Sequence, residues 1–144
     1  MMIIRNAQQS DLSVLSALSN ECGADRWSES SFAAELEHNS IVMCCDVDSH
    51  TVAFSVVSIS FEEAYLHLVA VDSAYRGCGI AKALLSQCEN MAVERGAEKI
   101  ILDVRTSNSA AVGLYENMGY QKLCIRKNFY SNPKDDAFTM IKEL

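Results

Sequence analysis

Hydrophobic positions change their period several times along the chain, and each change marks an element. Positions 3–7 alternate as a short strand. Leu12, Leu15 and Leu18 then recur at helical spacing behind Ser10 or Asp11, either of which can cap the helix. A second helix follows Trp27-Ser28, with Phe32 and Leu36 four apart on its buried side. Two β-rich runs come next, 41–45 and 52–61, and the turn-forming stretch Asp46-Val47-Asp48-Ser49-His50 between them predicts an antiparallel hairpin.

Glu62-Glu63 turns the chain into a third run, 64–71, which leads directly into the loop Asp72-Ser73-Ala74-Tyr75-Arg76-Gly77-Cys78-Gly79. From Ile80 the period becomes helical, with Ala81, Leu84, Leu85, Cys88 and Ala92 on one face and Gly96 as the stop. Positions 99–104 return to a strand. Asn108 then caps a helix carrying Val112, Leu114, Tyr115 and Met118 as far as Gly119, and 120–125 and 137–141 are the closing strands. The predicted order is β-α-α-β-β-β-α-β-α-β-β. This is an α/β fold with a mixed, mostly antiparallel sheet, flanking helices and a right-handed parallel crossover in its middle.

A chain of 144 residues, 49% of them hydrophobic, is sized for a single domain spanning 1–144 that buries its core without disulfide or metal support. Repeats and low-complexity tracts are lacking and Pro133 is the sole proline, so no internal linker is expected. The six cysteines form no CxxC pair and the three histidines are scattered, which argues against a zinc site or a disulfide framework and for reduced thiols in the cytoplasm. The amino-terminal residues have no basic region followed by an apolar run, and no stretch of about 18 apolar residues occurs, so neither secretion nor membrane spanning is expected. The net charge of -7 disfavours nonspecific nucleic-acid binding. It attracts a cationic partner if the acidic groups border the site, and otherwise serves solubility.

The candidate chemistry lies in the loop after 64–71. A strand, a glycine-bearing loop and a helix start together give a concave set of backbone N–H groups at the positive end of a helix, suited to a pyrophosphate. A P-loop does not fit Arg76-Gly77-Cys78-Gly79-Ile80-Ala81, and a dinucleotide fingerprint fails where its third glycine would be Lys82. The pattern Gln/Arg-x-x-Gly-x-Gly/Ala is met by Arg76, Gly79 and Ala81, and resembles the coenzyme A pyrophosphate loop of the GCN5-related N-acetyltransferase (GNAT) superfamily. Read without that resemblance, the stretch is a turn and a helix cap. Downstream, Asn108-x-x-Ala111-x-x-Leu114-Tyr115-x-x-x-Gly119-Tyr120 is similar to the superfamily's second signature.

The resemblance implies the GNAT fold, with a splayed central parallel strand pair, and acetyl-CoA as co-substrate, with no metal. It implies that the backbone of Val69, Ala70 and Val71 binds the acetyl carbonyl and pantetheine, and that residues 76–81, namely Arg76, Gly77, Cys78, Gly79, Ile80 and Ala81, take the pyrophosphate. Asn108 would contact the cofactor and Tyr115 would protonate the departing thiolate. Within the superfamily, Trp27-Ser28-Glu29, Val69-Ala70-Val71-Asp72, Val104-Arg105, Leu114-Tyr115-Glu116 and Arg126 with Asn128 and Tyr130 are similar to the bacterial ribosomal-protein-alanine N-acetyltransferases. The implied partner is the N-terminal segment of a small-subunit ribosomal protein. Two readings stay open beside it, an acetyltransferase for small amines and a noncatalytic acetyl-CoA-binding module.

The position matching the family's general base is Asp103, where the family carries glutamate. Aspartate is one methylene shorter, which shifts the expectation from direct proton abstraction to a water relay. His67 stands where the family has an apolar or aromatic residue. In a regular strand it shares a face with Val69 and Val71, from which it and Asp103 would hold a water between them.

Overall fold

The computed structural model describes residues 1–22 and 27–144. Strands β1 (Met2–Asn6), β2 (Ile41–Val47), β3 (His50–Ser60), β4 (Glu63–Val71), β5 (Lys99–Arg105), β6 (Gln121–Ser131) and β7 (Lys134–Glu143) form one sheet of order β1-β2-β3-β4-β5-β7-β6. Every neighbouring pair is antiparallel except β4 and β5. Helices α1 (Leu12–Cys22) and α2 (Glu29–Glu37) cover one face, around Leu15, Phe32 and Phe54. Helices α3 (Ile80–Glu94) and α4 (Ser109–Asn117) belong to the other, around Leu84, Leu85, Leu102 and Met140. The predicted mixed sheet, with a central parallel pair and helices on both sides, is the sheet found.

Local chemistry accounts for the element ends. Ser28 caps α2 by accepting the N–H of Ser31. α3 stops in a Schellman arrangement, with Gly96 at φ 92° and the Ala97 N–H donating to the Ala92 carbonyl at 2.9 Å. The β2–β3 turn is tighter than expected. Only Asp48 and Ser49 connect the strands, both with positive φ, as a two-residue hairpin with right-handed strand twist demands. β6 and β7 are each longer than their apolar cores, because the ladder between them continues into the Asn132-Pro133 turn.

Asp11 has a different task from the capping expected of it. A short 3-10 turn, Gln9–Asp11, precedes α1, with Gln8 at its cap; the Asp11 carboxylate reaches back to accept the Gln8 N–H at 2.7 Å. Its side chain is committed to Arg5, whose guanidinium donates to both Asp11 oxygens at 2.8 and 2.9 Å and to Asp46 at 2.8 Å. Arg5 therefore ties β1, the start of α1 and β2 together. It holds both carboxyls below the usual aspartate range. A depressed folded pKa gives stability that is complete above an unfolded value of about 4 and is lost as pH falls through the lower folded one. Arg5→Leu should cost about 1–2 kcal/mol at neutral pH, the pairs being partly exposed, and should lessen the fall in stability below about pH 4. Urea denaturation of both proteins over acidic to neutral pH checks this.

Candidate active site

β4 and β5 pair only from Glu63 with Lys99 to Leu66 with Leu102. Just beyond, β4 carries a bulge: Leu66 lies opposite Val57 and Leu68 opposite Val56, so His67 is the extra residue. One inserted residue inverts the alternation. Ala64 and Leu66 pack toward α3 and so do Val69 and Val71, whereas Leu68 and Ala70 join the cluster under α1 and α2. His67 thus does not share a face with Val69 and Val71, as a regular strand would have it. Its ring lies 4.9 Å from that of Tyr65 and 5.9 Å from Trp27, on the α1/α2 side.

Past Leu66, residues 67–71 keep β3 on one edge and have no strand on the other. Along that edge, alternate N–H and C=O groups that β3 does not use face the gap. The gap is a cavity of about 450 Å³ whose lining comes from both sides of the sheet. Val69, Ala70, Val71, Arg76, Ala81, Asp103, Asn108 and Tyr115 all line it. Gly77, Cys78 and Gly79 are exposed and Ile80 is buried in the core; none of the four lines the cavity itself. They form the loop joining Arg76 to α3.

The α3 side offers backbone donors and one phenol. Gly79 is the N-cap of α3 and supplies no capping side chain, so the first-turn N–H groups keep their donor capacity at the positive end of a 15-residue helix. Gly77 and Gly79 have φ of 79° and 78°, and a Cβ at either would meet nothing within 4 Å; backbone conformation, not crowding, calls for glycine here. Arg76 Nε donates to the Val71 carbonyl at 3.2 Å, fixing the loop to the end of β4. Asn108 caps α4 through Oδ1, which accepts the Ala111 N–H at 3.2 Å. At the other end of α4 the Tyr120 N–H donates to the Tyr115 carbonyl at 2.9 Å and the two rings lie 5.6 Å apart, which fixes the Tyr115 backbone and ring together. Among the described residues the Tyr115 hydroxyl has no hydrogen-bond partner. Burial pushes its pKa up, so the phenol keeps its proton at neutral pH.

On the opposite side, β7 places Thr139 directly across from Asp103. Asp103 Oδ1 accepts the Thr139 hydroxyl at 2.5 Å and Oδ2 accepts the Tyr65 hydroxyl at 2.5 Å, with Arg126 Nε 3.5 Å from Oδ1. Its side chain is only 4% exposed. Both oxygens are thus engaged. His67 Nε2 lies 2.7 Å from the Ser58 hydroxyl and 3.6 Å from a Glu35 oxygen. Burial holds the His67 pKa below the ordinary histidine value, with Glu35 opposing the shift. Sequence reasoning missed Tyr65, Thr139 and Glu35. Thr139 left a signal, a lone polar residue inside the apolar run 137–141, but Tyr65 and Glu35 left none.

The profile described as "Acetyltransferase (GNAT) family" matches residues 6–120. The chain belongs to the GNAT family. This GNAT protein is 30% identical to the ribosomal protein bS18-alanine N-acetyltransferase of Escherichia coli K12, over 97% of its own length and 96% of that enzyme's. It is 28% identical to a putative enzyme of the same description from Bacillus subtilis, over 95% and 92%. The crystal structure of the Escherichia coli ribosomal-protein-S18-alanine N-acetyltransferase superposes with a TM-score of 0.91, covering 99% of this chain and 94% of that one. Ard1 from Thermoplasma volcanium, 24% identical, shares the fold with a TM-score of 0.90, covering 99% and 97%.

Asp103→Ala would leave two hydroxyls without their shared acceptor and Arg126 without its ion-pair partner, and should destabilise by about 1–3 kcal/mol. Tyr115→Phe removes no hydrogen bond and should lie within about 0.5 kcal/mol of the parent. Equal losses in denaturant melts of the two variants would contradict this account of the site.

Proposed function

We propose that this GNAT protein transfers an acetyl group from acetyl-CoA to the N-terminal α-amine of a protein, namely the alanine that begins a small-subunit ribosomal protein, in the cytoplasm. One observation carries the reading: the parallel ladder stops at Leu66, and the cavity it opens has a helix start with open N–H groups at one edge and a protonated phenol in its wall. The Escherichia coli relative's described activity, its near-complete coverage and its matching fold support the substrate class. Among the described residues no helix is long and apolar enough to cross a membrane.

Acetyl-CoA supplies an activated thioester carbonyl. Residues 76–81 donate backbone N–H groups to its pyrophosphate, Arg76 and Ala81 from the cavity wall and residues 77–80 from the lip. The backbone at Val69, Ala70 and Val71 orients the pantetheine and polarises the carbonyl, and Asn108 contacts the cofactor from the start of α4. Tyr115 donates its proton to the leaving thiolate; burial keeps that proton in place between turnovers. Asp103 shapes the acceptor side through Tyr65. An α-amine of pKa about 8 suits this site better than a lysine near 10.4, because near neutral pH its free-base fraction is larger by a factor of about 100.

Acetyl transfer to a peptide panel varying only in its first residues, read by mass spectrometry, tests the reading. Modification should fall on the α-amine, with alanine-first peptides leading. Transfer only to small amines, or cofactor binding without turnover, would replace it with one of the alternatives. Gly79→Val strains a left-handed position in the loop, and should weaken coenzyme A binding at least about tenfold in calorimetry. Tyr115→Phe should bind coenzyme A normally while kcat falls about 10²-fold or more.

A further inference from the structure

We infer that His67, paired with Glu35, holds the proton removed from the substrate's ammonium while the amine attacks, and that Asp103 is a positioning residue that fixes Tyr65 against the imidazole. The inference rests on the N-terminal acetyltransferase reading and assigns the proton's path within it. Asp103 lines the cavity but is poorly placed to take a proton, since its two oxygens accept hydroxyls from Tyr65 and Thr139 and its side chain is only 4% exposed. Its charge already serves as the acceptor that holds both hydroxyls in place.

His67 has the opposite situation. It is the residue common to two adjoining spaces, the main cavity and an open polar groove bounded by Glu35, His38, Ser58 and Arg95. Its Nε2 is directed to the groove by Ser58 and Glu35, and among the described residues Nδ1 has no partner, which leaves that nitrogen for an incoming amine. Burial keeps the ring neutral near pH 7, as an acceptor must be, while the Glu35 carboxylate stabilises the imidazolium once formed. Tyr65 packs against the ring on the side toward Asp103, and Trp27 packs on it from the α2 side. Other charged or titratable groups about these two spaces are His38 and Arg95 in the groove, and Arg76, Asp103, Arg105, Tyr115 and Tyr130 in the cavity. Of these neighbours, Glu35 alone supplies the charge that raises the His67 pKa.

The step balances. The ammonium gives one proton to Nδ1, and the freed lone pair forms the C–N bond as the C–S bond breaks. Sulfur leaves with the bonding pair and takes the Tyr115 proton, and the second proton lost by nitrogen restores the phenol. His67 then discharges through Nε2 to Glu35 and the water of the groove. One proton reaches solvent for each acetyl group transferred.

Because the proton stays on the enzyme during attack, kcat/KM of the wild type on an alanine-first peptide should level off above the His67 pKa, which lies below about 6.5, and not climb in step with deprotonation of the amine toward its pKa of about 8. His67→Phe keeps the ring packing and removes the acceptor. Its kcat/KM should drop at least about tenfold at neutral pH and climb roughly tenfold per pH unit up to about pH 8, the signature of an amine deprotonated by solvent. Glu35→Gln should lower the His67 pKa, seen both in the acidic limb and in the His67 ring signal by NMR titration. Asp103→Asn should reduce kcat with the limb unmoved. A wild type that climbs with the same slope as His67→Phe, a His67 signal indifferent to Glu35→Gln, or an acidic limb lost with Asp103→Asn overturns the inference while leaving the acetyltransferase standing. A wild type inactive on every N-terminal peptide overturns both.

Discussion

β4 serves two neighbours with incompatible demands. On one edge it must stay paired with β3 along its whole length; on the other it must part from β5 after four residues so that something can reach its backbone. The bulge at His67 reconciles them: it inserts one residue against β3, bends the strand and reverses which side chains face α3. The cavity, the backbone of Val69 and Ala70 along its rim and the outward turn of His67 all follow from that insertion. The tie from Arg76 to the Val71 carbonyl then carries the bent strand into the loop at the start of α3.

The two faces of the opening carry complementary proton chemistry, and the same physical effect sets both. Burial disfavours charge, so it keeps the Tyr115 phenol protonated on the α4 side and the His67 imidazole deprotonated on the α2 side. A protonated phenol and a neutral imidazole thereby face the opening near neutral pH. Asp103 sits between neighbouring elements as an acceptor for Tyr65 and Thr139, and its charge is spent on holding those side chains in register.

Much of this was legible in residue order. The element sequence, the glycine-bearing loop and the α4 signature are local patterns, with helical or strand period and a capping residue at each end, and local patterns survive folding. Asn108 at the cap of α4, Gly79 at the start of α3 and Gly119 at the end of α4 sit where the period and turn chemistry put them. Tyr115 followed from the same helix pattern and the family resemblance. What was misread was local as well: Asp11 has the composition of a helix N-cap, but its carboxylate reaches back to the Gln8 N–H and forward to the guanidinium that β1 brings over.

The sequence by itself determined the fold class, the family, the glycine-bearing loop at the start of α3 and the place of Tyr115 on α4, because each is carried by patterns that are local along the chain. Tertiary structure alone decided the face of His67 and the surroundings of Asp103. A bulge is defined by what lies on the partner strand, and nothing in Tyr65-Leu66-His67-Leu68-Val69 announces that Val56 and Val57 will be offset against it. Likewise Thr139 and Arg126 meet Asp103 only because β7 inserts between β5 and β6, and Tyr65 only because β4 lies on the other side of β5, a strand order that alternation along the chain leaves undetermined.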